Sequence, residues 1–114
     1  MKKRISIILP ENALKEIREH MIEDGYSLRE KSKWISEAIE DFLKLSEYQS
    51  LVEMAELVGQ LAKTETIYIT SEIEEKLEEA IVKVRQQYPT LEGVKSLIVR
   101  ASIVRRLVLH GKRK

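Results

Sequence analysis

The apolar positions at the start of the chain alternate, then change period. Ile5, Ile7 and Leu9 fall on one side, and Arg4, Ser6 and Ile8 on the other. Successive side chains of a strand point to opposite faces, so Arg4–Leu9 is predicted as a strand with an apolar inner face. Pro10 ends it and suits the first turn of a helix. Leu14, Ile17 and Met21 then recur at helical spacing, a stripe that reaches about Asp24 before Gly25 stops it. Tyr26–Lys31 reads as a loop. Ser32 is placed to cap a second helix, whose stripe is Ile35, Ala38, Ile39, Phe42 and Leu43 with Trp34 alongside.

From Ser46 to Ala62 the pattern is helical again, with Leu51, Ala55, Val58 and Leu61 on one face. This reads as a helical connector, either separate from or continuous with the helix before it, and its apolar face offers a route to self-association. The first pattern then restarts. Ile67 and Ile69 face inward, and Thr66 and Tyr68 outward, in a short strand. Ser71 and Glu74 have capping-box spacing. Ile73, Leu77, Ala80, Ile81 and Val84 form the next stripe, Pro89 and Gly93 mark a turn, and a last helix runs from about Val94 to Leu109. Ile7 aligns with Ile67, Leu9 with Ile69, Ile17 with Leu77 and Met21 with Ile81. In the last helix Ser32 falls beside Ser96, Ala38 beside Ser102 and Phe42 beside Arg106, with a register one residue away also open. Glu65 stands where the first copy has the inward Ile5, so the second strand is expected to fray at its start.

The predicted fold is therefore mainly α with a short antiparallel two-stranded β-ribbon. It divides into a first unit over 1–45, a connector over 46–63 and a second unit with a basic tail over 64–114. A lone strand followed by two helices leaves its backbone donors without partners. Two copies solve this by pairing their strands over a shared helical core. Pairing of Arg4–Leu9 with Thr64–Ile69 inside one chain is the favoured arrangement; the alternative is a homodimer in which each strand meets its twin.

Composition narrows what such a fold can do. The 114 residues are 43% hydrophobic and 34% charged, enough apolar material for a core. Aromatics at 5% and few Gly or Pro favour helices over a β-sandwich. The absence of Cys excludes disulfides and cysteine-based metal or nucleophile chemistry. His20 and His110 lack metal-ligand spacing, and there is no Gly-rich phosphate loop or nucleophile–base pair, so neither an enzyme nor a cofactor is expected. No apolar run is long enough to span a bilayer, and a cytoplasmic, nucleoid-associated protein is expected. Net charge is only +1, but its distribution is uneven. Lys2, Lys3 and Arg4 open the chain and Lys112, Arg113 and Lys114 close it, around an acidic middle. That arrangement points to anion contacts on one face.

The stretch Lys2-Lys3-Arg4-Ile5-Ser6-Ile7-Ile8-Leu9-Pro10-Glu11 resembles the opening of the ribbon-helix-helix (Arc/MetJ-type) repressors. Ser32-Lys33-Trp34-Ile35-Ser36-Glu37-Ala38-Ile39-Glu40-Asp41-Phe42-Leu43 resembles that family's second helix. The likeness covers nearly all of residues 2 to 45 and, more loosely, 64 to 109, so it implies a tandem ribbon-helix-helix. It further implies that the ribbon enters the DNA major groove and that its outward side chains read bases. Here those are Arg4, Ser6 and Ile8 on one strand and Thr64, Thr66 and Tyr68 on the other. Arg can donate two hydrogen bonds to guanine, Ser bonds several bases, and an apolar side chain can meet a thymine methyl. In the family the start of the second helix holds a phosphate, which points to Ser32 and Lys33 and, by the alignment of the copies, to Lys95 and Ser96. Lys2, Lys3, Lys112, Arg113 and Lys114 complete the phosphate-facing set. The implied role is sequence-specific binding of double-stranded DNA, as a transcriptional repressor or an accessory protein of plasmid transfer or partition. A protein-interaction scaffold, or an antitoxin that binds both DNA and a toxin, is the competing class.

Overall fold

In a computed structural model of the chain, residues 2–9, 13–56 and 63–111 are described. Two strands and five α-helices follow in the order β1 (Lys2–Leu9), α1 (Ala13–Glu23), a 3₁₀ turn (Leu28–Glu30), α2 (Lys31–Leu43), α3 (Tyr48–Glu56), β2 (Lys63–Thr70), α4 (Ser71–Gln87) and α5 (Val94–Gly111). The described residues are mainly helical, with one two-stranded antiparallel sheet among them, in which β1 pairs with β2 of the same chain. No helix among the described residues is long and apolar enough to cross a membrane.

The alternation in each strand decides which side of the ribbon is covered. Ile5, Ile7 and Leu9 of β1 and Ile67 and Ile69 of β2 are buried against the helices. Burying a side chain of this size contributes roughly 1.5–3 kcal/mol, enough to hold a ribbon that would be marginal alone. α5 is the central helix and lies against α2, α3, α4, α1 and β1. Its Ile98, Val99 and Ile103 join Trp34, Ile35, Ile39 and Phe42 of α2 in one core. Ser102, which aligns with Ala38, is buried there too. Its hydroxyl donates to the Ile98 carbonyl at 2.7 Å, so the small polar side chain is satisfied within its own helix.

Helix ends follow from local chemistry, not always the chemistry expected. Gly25 sits at φ +86, and the Tyr26 N–H donates to the Met21 carbonyl at 2.8 Å, closing α1 with a left-handed cap that favours glycine. Ser32, by contrast, does not cap α2. The chain enters through Ser27, whose N–H donates to the Glu30 carboxylate at 2.9 Å, and the 3₁₀ turn runs straight into a helix that starts at Lys31. That bond holds the Glu30 carboxyl below its ordinary value. Ser71 is likewise not the cap of α4. Thr70 takes that place, its hydroxyl accepting from the Ile73 N–H at 3.3 Å.

The connector was left open as separate from or continuous with the helix before it, and the structure decides for a separate one. α2 ends at Leu43, and α3 is a separate helix starting at Tyr48. Its inward face is Tyr48 and Val52, with Leu51 only partly buried beside them. The Tyr48 ring meets the Phe42 ring at 6.1 Å between centroids, tilted by 55°. Of the face read as a route to self-association, Leu51 packs partly against this chain's own core. The Ala55 side chain and residues Val58 and Leu61 lie outside the described residues.

β2 does not fray at Glu65. It runs from Lys63, and Glu65 stands opposite Ile7 in the ladder. Its inward carboxylate meets the Lys31 ammonium at 2.6 Å, at the first residue of α2. With only 18% and 29% of the two side chains exposed, this pair is largely desolvated. A lone carboxylate there would be costly, and Lys31 makes the position tolerable.

Candidate nucleic-acid interface

The outward face of the ribbon is built by strand parity and register together. β1 and β2 pair Lys2 with Thr70, Arg4 with Tyr68, Ser6 with Thr66 and Ile8 with Thr64. The six whose side chains are described, Lys2, Arg4, Ser6, Thr66, Tyr68 and Thr70, therefore belong to the face turned from the core. Lys2, Arg4, Ser6, Tyr68 and Thr70 are exposed and Thr66 is half-buried. Tyr68 leaves 51% of its surface to solvent. The side chains of Ile8 and Thr64 lie outside the described residues, though their backbones hold the register. No Asp or Glu occupies any of these eight positions.

A two-stranded ribbon has two edges with unpaired backbone groups. On β2, one of these is met by α2. The Tyr68 N–H donates to the Ser32 hydroxyl at 3.0 Å. Ser32 was expected at a helix cap facing phosphate. Instead it holds the strand edge at the residue whose ring is most exposed on the ribbon. Together with the Lys31–Glu65 pair, it ties the first turn of α2 to β2 at two points.

The basic residues divide by parity. Lys2 shares the outward face with Arg4. Lys3 points the other way, and its ammonium lies 2.7 Å from the Glu74 carboxylate of α4, which raises its pKa above the ordinary value. Lys33 is exposed, 3.6 Å from the Glu30 carboxylate and 5.9 Å from the centre of the Tyr26 ring. Lys95 and Ser96 are half-buried in the first turn of α5, which begins behind Gly93 at φ +63. Lys112, Arg113 and Lys114 lie outside the described residues.

One cluster was not foreseen. Arg106 of α5 donates to the Trp34 carbonyl at 2.7 Å and to the Tyr26 hydroxyl at 3.1 Å, with the Glu37 carboxylate at 3.4 Å. Its guanidinium lies 4.7 Å from the centre of the Trp34 ring and 5.6 Å from that of Tyr26. Tyr26 also donates to Glu37, and that bond, with burial, raises the phenol above its usual pKa. This cluster fastens the loop before α2 onto α5. Its sequence signal was the Arg at the position aligned with Phe42, a charge on an apolar stripe that demands partners. Glu65 on the inner strand face was the same kind of signal, and Lys31 its answer.

Among the described residues, no three His, Asp or Glu side chains come together in a way that could hold a metal ion. The chain matches no protein-family model, no curated protein and no solved structure.

Proposed function

We propose that this chain is a tandem ribbon-helix-helix protein that binds double-stranded DNA by laying the outward face of the β1–β2 ribbon into the major groove. The observation that carries the reading is that face itself: Lys2, Arg4, Ser6, Thr66, Tyr68 and Thr70 on a rigidly backed ribbon, with no acidic residue among them. Two strands about 4.8 Å apart, with side chains, suit a groove about 12 Å wide. Arg4 supplies a fork for guanine, Ser6 and Thr66 supply hydroxyls, and Tyr68 supplies a ring and a phenol. Lys2 at the end of the ribbon, with Lys33 and Lys95 in the first turns of α2 and α5, would meet phosphates, which position the protein without reading sequence. Ser32 accepts from Tyr68, so its own proton is left to donate to a phosphate oxygen. Lys3, held by Glu74, contributes less than its place beside Arg4 suggested.

The role that follows is non-enzymatic: control of transcription, or an accessory part in plasmid transfer or partition. The test is fluorescence anisotropy of a labelled random-sequence duplex titrated with the full chain at low salt. Binding is expected, with a log–log salt slope of about one unit per phosphate contacted. No binding to any duplex at low salt would favour a protein-interaction scaffold instead.

A further inference from the structure

We infer that the ribbon reads one non-palindromic DNA element in a single orientation, with guanine at the Arg4 end; this rests on the DNA-binding reading above. Ser6 and Thr66 align between the two copies and also stand opposite each other, so the pseudo-twofold centre of the ribbon falls at that pair. Two identical strands would repeat every contact on both sides of that centre, and would read a palindrome. This ribbon does not repeat. On one side lie Lys2 opposite Thr70 and Arg4 opposite Tyr68, so both outward cations and the exposed aromatic fall at one end. On the other side the register pairs Ile8 with Thr64, two residues without charge.

The supports of the two ends differ as well. At the Arg4 end, β2 is pinned twice: Ser32 accepts the Tyr68 N–H at 3.0 Å, and Thr70 caps α4 through the Ile73 N–H. The Tyr68 backbone is therefore held at its own N–H and, two residues on, at Thr70, with its exposed side chain opposite Arg4. Beneath the same end, Glu74 draws Lys3 away toward α4, leaving Lys2 and Arg4 as the cations that face outward. Guanine offers two acceptors to the groove, which an Arg fork fills and an uncharged Ile–Thr pair does not. Turning the protein end for end would set Arg4 on the wrong base and leave guanine without its donors. One bidentate contact of this kind is worth about 5- to 150-fold in discrimination, so one orientation should dominate.

The experiment has two parts on the full chain. Bound sites are first selected from a random duplex pool. Next, Glu72→Cys, at an exposed position in the first turn of α4 beside Thr70, is coupled to iron–EDTA; the chain has no other Cys. Cleavage is then mapped on an end-labelled selected duplex. The inference expects an asymmetric motif with guanine toward one end, cleavage centred at that end alone, and loss of the guanine preference in a selection with Arg4→Ala. A palindromic motif, or cleavage shared equally between both ends, would overturn the inference while leaving the ribbon as the DNA-binding element. Failure of the chain to retain any duplex at low salt would overturn both.

Discussion

Two positions on β1, one on each face, should separate folding from binding. Ile7 is fully buried beneath the ribbon and Arg4 is exposed above it. Ile7→Ala removes three carbon groups from the core, a transfer loss of roughly 2.4 kcal/mol at about 0.8 kcal/mol each. The cavity left behind adds to this, because a strand held in register by its partner cannot collapse into the space, giving about 3–4 kcal/mol in all. That is a large share of the ~5–15 kcal/mol available to a domain of this size, and corresponds to a fall of roughly 10–15 °C in Tm. Arg4→Ala leaves no cavity and should change stability by less than about 0.5 kcal/mol, yet should weaken specific DNA binding by about 1–3 kcal/mol. Thermal melting by circular dichroism and anisotropy against a selected duplex read the two effects separately. If both variants lose stability equally, or if Arg4→Ala binds as tightly as the parent, the assignment of the strand faces is wrong.

Arg106→Ala should cost about 2–4 kcal/mol, since it leaves the part-buried Glu37 carboxylate without its cation, removes a second donor from the Trp34 carbonyl and takes the cation from beside two rings; urea melts would show it, and a loss under ~0.5 kcal/mol would mean the cluster is ornamental. Glu65→Ala should destabilise by roughly 1–3 kcal/mol because Lys31 is left half-buried without its partner. The double change Glu65→Ile with Lys31→Met should recover most of that loss, and a double variant worse than the single would refute the desolvation argument. Ser6 and Thr66 are direct cross-strand neighbours. The Tyr68 N–H is turned to Ser32, which makes the outward pairs the closely spaced kind, near 4.5 Å between Cα atoms. Cys at both positions should therefore form a disulfide within one chain under mild oxidation, seen by gel mobility, whereas chain-to-chain products from either single variant would show that the strands pair between molecules.

Much of the fold was legible because a period of two residues gives way to one near 3.6 at Pro10 and again after Thr70, while Gly25 and Gly93 break one helical stripe from the next. Strand faces follow from parity alone, so Ile5, Ile7, Leu9, Ile67 and Ile69 were readable as core. Helix starts were less so. Ser27, Ser32, Thr70 and Ser71 are all competent caps, and the choice among them depends on where the neighbouring strand and loop leave a backbone donor open. The inner face of α3 was ambiguous for a related reason: Leu51 with Ala55 and Tyr48 with Val52 both satisfy helical spacing, and only the Phe42 ring and α5 decide between them. Glu65 looked like a defect when its strand was read alone. Its partner, Lys31, lies 34 residues away and on another element. The outward residues of the candidate interface were legible for the same reason as the core, being its complement by parity. The second task given to Ser32, bracing Tyr68, was not, because a hydroxyl carries no sequence mark of the donor it will meet.

In the proposed complex, duplex DNA lies on the outward ribbon face. The most direct measurement is a backbone-amide NMR titration of the full chain with a selected duplex. Shifts should concentrate on Lys2, Arg4, Ser6, Thr66, Tyr68 and Thr70, extend to the first turns of α2 and α5, and leave the exposed outer surfaces of α1 and α4, marked by Ile22 and Val82, unmoved. Shifts centred on α1 and α4 with a silent ribbon would contradict the claim, as would a spectrum unchanged by any duplex.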